Sequence, residues 1–381
     1  MRIGGLPRVV GGCLLLAACV ATNALSQPQS VPRLRDRALD KASYVALANQ
    51  WREYIEKHGE SADALVNLGR AQRYSGELEA AKRAGKRAVE LEPDNPKALS
   101  FYAECIIVYD GGGNEALKLL ERSRAIDPDN GEALITLAVL YLRSGELDKA
   151  AATLKTVFDR KIISRPLQDF AYNMLVGLPD GAVLITNGDN DTFSPLALQA
   201  GMDFRPDVVV INWHLLRVPE YVDALRKRHE YLKSAGQPKT ATAAEDPRAL
   251  IEQWIKDSKV PVCIAVTVNI EELGLKPDPA IEEGLSWRVA GKGISAEEAA
   301  RLVLDRYRLD SATDWDFAWD LTDLSYVMVN YVHSMLRLAE RDGVSADSKC
   351  RLLGRAAAIA EFHNLSTEAH VKALLKKCGK R

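Results

Sequence analysis

At 381 residues the chain exceeds what one ordinary core accommodates, which points to two or three folded units. Its 47% hydrophobic and 27% charged residues describe a globular protein rather than a disordered one. A net charge of -2, with both signs interleaved, leaves no basic footprint and excludes nucleic acid as an expected partner.

The chain opens with Arg2 and Arg8 ahead of an apolar stretch from Val9 to Val20. That stretch is too short to span a bilayer and reads as the core of a signal peptide occupying residues 1–26. It ends in Leu16-Ala17-Ala18-Cys19, the pattern of a bacterial lipobox. In such a site the small residues fit the peptidase and the thiol of Cys19 takes the lipid. Val20 is not the aspartate that often retains lipoproteins at the inner membrane. The expectation is a periplasmic or outer-membrane lipoprotein whose only membrane contact is the lipid; cleavage after Ala24-Leu25-Ser26 gives the alternative of a secreted soluble protein. Residues 27–40, with Pro28 and Pro32, read as a linker from the anchor. Beyond the leader, Cys105 and Cys263 lie in apolar runs and read as small core residues. Cys350 and Cys378 fall on neighbouring predicted helices, within reach of a disulfide. The scattered histidines disfavour zinc.

From residue 41 the pattern is helical. Leu65, Leu68, Gly69 and Gln72 recur at i, i+3, i+4 and i+7, and Gly76 makes a turn. Ala81 and Ala88 then mark a second helix that Pro93 closes. The same order returns with Leu134, Leu137, Ala138, Tyr141, Gly145, Ala150, Leu154 and Val157. Ala81, Ala116 and Ala150 are spaced by 35 and 34 residues, and Pro93 and Pro128 by 35. Each proline sits in a near-identical tetrad, Glu92-Pro93-Asp94-Asn95 and Asp127-Pro128-Asp129-Asn130. Small residues at the crossings let two helices approach; the proline stops the second helix, and Asp or Asn caps the next. A period of about 34 residues with these anchors is the tetratricopeptide signature. The middle unit carries an extra residue near Gly111-Gly112-Gly113, and residues 43–58 read as a lone capping helix. The array is assigned to residues 41–163.

Next comes a helix over 167–177, and then the pattern changes. Ala182–Thr186, Asp207–Asn212 and Val260–Val268 are short apolar β runs, separated by helical stretches at 195–201, 218–234 and 247–257. Continuous apolar strands alternating with helices predict a small parallel sheet buried on both faces, an α/β domain over 164–310. Residues 311–381 are predicted helical, with a hairpin turning at Gly343. The expected fold is therefore α + α/β: a helical-hairpin array, a small parallel α/β sheet domain, and C-terminal helices.

Ligands of parallel sheets sit beyond the carboxyl ends of the strands. Those ends carry Asn187, Asp189, Asp191 and Thr192 after the first strand and Asn212 and His214 after the second; the third leads into Thr267. If the strands are adjacent, these side chains converge. Asp189 and Asp191 are then candidate ligands for a hard cation, or acceptors for a sugar or amine. The same residue types also build a tight strand-to-helix turn, with Asp191 and Thr192 placed to cap a helix from Pro195. Both readings stand. The loop lacks the glycine placement of an EF-hand and the Gly-Lys-Ser/Thr of a phosphate loop. No catalytic residues are assigned, because neither G-x-S-x-G nor a Cys/His dyad is identified, and no cofactor is expected.

The run from Leu184 to Phe193, followed by Arg205-Pro206-Asp207-Val208-Val209-Val210-Ile211-Asn212, resembles part of the protein O-mannosyltransferase-like family of bacterial membrane glycosyltransferases. Val262–Val268 and Glu283–Val289 extend the resemblance across roughly 166–341, the soluble C-terminal region of that family. It implies an envelope-side module whose most characteristic residues are Asn187, Asp189, Asp191 and Asn212. The membrane helices that carry the family's acidic catalytic loop do not appear in this sequence. Leu196 and Ala197 replace its aromatics, and Arg217 and Glu220 replace an Asn and a Trp. Transferase activity is therefore not implied. The resulting expectation is an interaction scaffold that grips protein partners through the repeat groove. The alternative is a saccharide- or metal-binding domain, or an enzyme assisting envelope glycosylation, acting through 187–191.

Overall fold

The computed structural model describes residues 26–32, 39–110, 113–233, 246–257, 259–276, 278, 281–314 and 324–378. The expected signal peptide, apart from Ser26, and the expected lipidation site Cys19 lie outside these residues. No helix among the described residues is long and apolar enough to cross a membrane.

The array starts with α1 (Lys41–His58), whose N-terminus is capped by Asp40 accepting from the Ser43 amide at 2.8 Å. Three hairpins follow: α2 (Ala62–Ser75) with α3 (Leu78–Leu91), α4 (Pro96–Asp110) with α5 (Asn114–Ile126), and α6 (Gly131–Arg143) with α7 (Leu147–Asp159). Repeat chemistry acts as its spacing predicts. Asn95 accepts from the Lys97 and Ala98 amides, and Asn130 from those of Glu132 and Ala133, so each tetrad stops one helix and caps the next. Ala81, Ala116 and Ala150 are all but inaccessible at the helix crossings. Gly69 lies so close to Phe101 that a Cβ there would sit 2.5 Å from the ring.

The linker departs from expectation at its start. Trp51 is fully buried and donates to the Gln29 carbonyl at 3.1 Å, while the Val31 amide donates to Asn67 Oδ1 at 2.8 Å. Residues 29–31 are therefore strapped across α1 and α2 rather than free, because Val31 fills an apolar notch between them.

After α8 (Arg165–Val176) the chain forms the sheet: β1 (Val183–Thr186), β2 (Val209–Asn212), β3 (Val262–Ala265) and β4 (Ser286–Ala290), in the order β2-β1-β3-β4. β1 runs parallel to β2 and to β3, in register Val183 with Val209 and Val262. The three apolar runs are thus the parallel strands anticipated, although each is shorter at its ends. β4 is antiparallel to β3, so the sheet is mixed rather than wholly parallel. Its sequence hides it: Ser286 and Arg288 interrupt the apolar pattern, and Arg288 is buried only because Glu283 pairs with it. The helix α9 (Asn190–Met202) packs on α7 and α8, with Gly201 against Phe158. α10 (Pro219–Arg228) packs on α6, and α11 (Pro247–Asp257) contacts β4.

The remaining helices are α12 (Ala296–Asp305), α13 (Ser325–Glu340), α14 (Ala346–Phe362) and α15 (Glu368–Cys378). Helix α13 turns into α14 around Gly343, as the hairpin pattern predicts. Cys350 and Cys378 are disulfide-bonded, joining α14 to α15, and Cys105 and Cys263 are free and buried. One contiguous apolar core runs from α4 and α5 through the sheet to α14 and α15, whereas α1 with α2, and α2 and α3 with one face of α4, close two smaller clusters. Asn173 of α8 ties the C-terminal part down by exchanging two hydrogen bonds of 2.7 Å with the Arg308 backbone.

Candidate functional site

Because β2, β1 and β3 are neighbours, the polar residues at their ends do converge. The turn after β1 requires a left-handed backbone: Gly188 has φ 131° and Asp189 φ 56°. A Cβ at Gly188 would lie 3.2 Å from Asn212 Nδ2, so the glycine also serves close packing of the two strand ends.

Asp191 holds this turn together. Its two carboxylate oxygens accept from the Asn187 amide at 2.7 Å and the Gly188 amide at 2.8 Å, and Thr267 Oγ1 donates to it as well. Thr192 and Thr186 share a hydrogen bond of 2.7 Å beneath it, and all three residues are buried. Burial pushes the Asp191 carboxyl up to about 6, against the opposing pull of Thr267 and the two amides. The helix begins earlier than the sequence suggests. Asp191 and Thr192 lie in its first turn rather than capping it, and Pro195 sits inside it. The reason is that Asp191 bonds backward to the loop amides, which lets the helix start at Asn190 without a side-chain cap. The Asp189–Asp191 pair is therefore divided. Asp191 is turned inward with its oxygens occupied by N–H and O–H donors, while Asp189 is exposed and borders a different cavity. Among the described residues no cluster of three His, Cys, Asp or Glu is placed to hold a metal ion.

The outer rim is built by Asn187, Asn212, Trp213, His214 and Arg217. Asn212 Oδ1 accepts from the His214 amide at 3.0 Å and starts the 3₁₀ turn Trp213–Arg217. Asn187 Oδ1 faces Trp213 Nε1 at 3.2 Å and His214 Nε2 at 3.3 Å. Arg217 reaches His214 Nδ1 at 3.3 Å, and its guanidinium lies 4.7 Å from the Trp213 ring centre. Burial, then the Arg217 charge, lowers the His214 pKa, with Glu272 opposing weakly. In the sequence Arg217 shows only as a departure from the glycosyltransferase-like pattern.

A second feature belongs to the array. Helices α2, α4 and α6 line its concave face, where Arg73 bonds Glu104 at 2.7 Å and Arg70 pairs with Glu132. Between them opens a cavity of about 270 Å³, floored by Ile107, Val108, Ile135 and Val139. Its far wall is Asp189 and Phe193, the start of α9. The groove of the repeats thus runs up to the loop of the α/β domain. The inner-face charges escaped the sequence reading because repeat anchors report helix crossings, not the groove surface.

Residues 62–95 and 110–161 each match tetratricopeptide-repeat family models, and residues 167–248 match the model of TMEM260-associated domain 2. A TPR repeat-containing protein of Dictyostelium discoideum is 26% identical over 119 residues, covering 30% of this chain and 45% of that protein. The chain thus spans less than half the length of that curated relative. Among solved structures, MamA is 18% identical with a TM-score of 0.31, covering 50% of this chain and 91% of its own. A tetratricopeptide repeat protein from Parabacteroides merdae is 14% identical at TM-score 0.31, covering 90% and 94%. Naa15/Naa10 bound to HypK-THB is 17% identical at 0.31, covering 89% and 47%. At such TM-scores these likenesses carry no further argument. On the repeat spacing, the capped hairpins and the two family-model matches, the N-terminal part of the chain carries tetratricopeptide repeats.

Proposed function

We propose that this protein is an interaction scaffold of the bacterial cell envelope. It is held by a lipid on Cys19, and its repeat groove and α/β loop together grip an extended segment of a protein partner. The observation that carries this reading is the cavity shared by both parts: aliphatic floor from α4 and α6, polar edge from Arg73 and Glu104, end wall from Asp189 and Phe193. Val108, 51% exposed on that floor, is the kind of apolar surface a partner covers. The Cys350–Cys378 disulfide supports an exported location, since such bonds persist in oxidising compartments. The test is capture from envelope extract with the full protein against Val108→Asp and Ile135→Asp. A partner retained by the wild type and lost from both variants supports the scaffold; equal recovery from all three counts against it.

A second reading, a saccharide-binding or glycosylation-assisting domain, is favoured by the exposed polar rim of Asn187, His214 and Arg217 at the strand ends. The family-model match over 167–248 falls on the same stretch as the glycosyltransferase resemblance. Thermal shift against neutral sugars and divalent cations, with Asn187→Ala as control, tests it.

A further inference from the structure

The rim has a donor set that its own residues do not consume. Arg217 carries only N–H donors, so the ring nitrogen it meets, His214 Nδ1, must accept. The His214 proton is then on Nε2, from which it donates to Asn187 Oδ1. That oxygen already takes the Trp213 indole N–H, which fixes the amide with Nδ2 turned away from both donors. Arg217 is exposed, held over the Trp213 ring, and pairs with no carboxylate among the described residues. Glu272 lies near enough to His214 to act on its charge, and its carboxylate accepts from Asn269 Nδ2 at 3.4 Å.

We propose that Arg217, positioned by Trp213 and His214, is the recognition group for a carboxylate on a small ligand. Two arguments select the carboxylate. A guanidinium fork offers two parallel donors to a planar monoanion, and the ring and imidazole contacts fix that fork in advance. The segments that build the rim, 187–192 and 212–217, contain no second lysine or arginine to balance a dianion such as phosphate. His214 touches Arg217 and Asn187, and is a positioning residue here. The location at the strand ends rests on the second reading above, but the chemistry is independent of the repeat groove.

Isothermal titration of the full chain with sodium glucuronate, glucose, N-acetyl-dialanine and inorganic phosphate tests the site. Glucuronate and the dipeptide share the carboxylate, and the tighter of the two identifies its source as a sugar acid or a peptide terminus. Binding of at least one of them is expected, with glucose silent. Arg217→Gln should weaken it roughly 10- to 100-fold, the range of a charged hydrogen-bond pair, and Arg217→Lys by less. His214→Ala should weaken binding, with partial rescue in His214→Asn, which retains both an acceptor and a donor. Circular dichroism of each variant checks folding, and Val108→Asp in the groove should leave glucuronate binding unchanged. Loss of partner capture alone would therefore indict the scaffold reading and not this site. Three results overturn the proposal: no carboxylate saturates the wild type, Arg217→Gln binds as well as the wild type, or phosphate binds more tightly than both carboxylates.

Discussion

Arg70 and Glu132, sixty-two residues apart, form an ion pair that joins the first repeat to the third across the face of the second. Their side chains are 12% and 5% exposed, and the Arg70 guanidinium lies 6.0 Å from the Phe101 ring centre. Packing between neighbouring hairpins sets the curvature of the array, and a pair bridging the first and third units helps hold the groove at that opening. Removing one partner strands a buried charge, which costs about 3–5 kcal/mol. Arg70→Ala should lower stability in urea by that order. Arg70→Met combined with Glu132→Leu should recover most of the loss, because the apolar pair needs no compensation. A double variant as unstable as the single one would show that the pair is not the origin of the effect.

Asp191 makes a pH prediction of definite sign. Its folded pKa, raised by burial to about 6, exceeds the ordinary value of 3.8. Between those values the folded state binds more protons than the unfolded one, so stability falls as pH rises from about 4 to about 6. The loss is on the order of 3 kcal/mol at most. Asp191→Asn should flatten the slope in this window. It should also lower stability at pH 7, where Asp191 is ionised, since an amide offers one oxygen where two loop amides and Thr267 meet a carboxylate. An unchanged slope would mean that Asp191 does not titrate in this window.

How much of this was readable in the sequence depends on what each residue reports. The repeats were legible because Ala81, Ala116 and Ala150 mark helix crossings that recur at fixed spacing. The three parallel strands announced themselves as unbroken apolar runs. β4 did not, since Arg288 in a strand is explained only by Glu283, which the alternation of side chains cannot show. In the loop, the sequence supplied Asn187, Asp191, Asn212 and His214 correctly as neighbours in space. It left open that Asp191 faces inward, because the same residue types serve a turn and a ligand. Arg217 lay beyond reach: its role follows from contact with Trp213 and His214 in a 3₁₀ turn, a geometry with no periodic signature.

The disulfide should matter locally. Helix α15 contributes one fully buried residue, Val371, with Leu374 and Leu375 partly buried beside it, and the Cys350–Cys378 bond and an ion pair from Lys372 to Glu361 add to its hold on α14. Closing a 28-residue span of chain stabilises by roughly 2–4 kcal/mol in the loop-entropy account. Cys378→Ser, or reduction, should therefore speed hydrogen exchange across α15 while β1 and β3 stay protected. Cys105 and Cys263, whose thiols burial pushes up to about 12, should resist alkylation until the core opens. Exchange rising equally in α15 and the sheet would contradict a local role.

Two turn glycines offer a controlled comparison. Gly145 (φ 74°) and Gly76 (φ 99°) end the first helices of their hairpins in the same left-handed conformation. A Cβ at Gly145 would meet the Glu220 carbonyl at 2.6 Å, whereas at Gly76 the nearest atom is Lys41 Nζ at 3.9 Å. Gly76→Ala should cost about 1 kcal/mol of backbone strain, and Gly145→Ala at least about 1 kcal/mol more, because α10 must shift. Equal thermal shifts would mean that α10 is not packed against this turn.

Photo-crosslinking tests the central claim most directly. A benzophenone side chain placed at Val108, on the groove floor, is compared with one at Leu91, on the second helix of the first hairpin, in the full protein within intact envelopes. The scaffold account predicts a discrete adduct from position 108 that is absent from 91 and disappears with Ile135→Asp. The same products from both positions, or no adduct from 108, would contradict it.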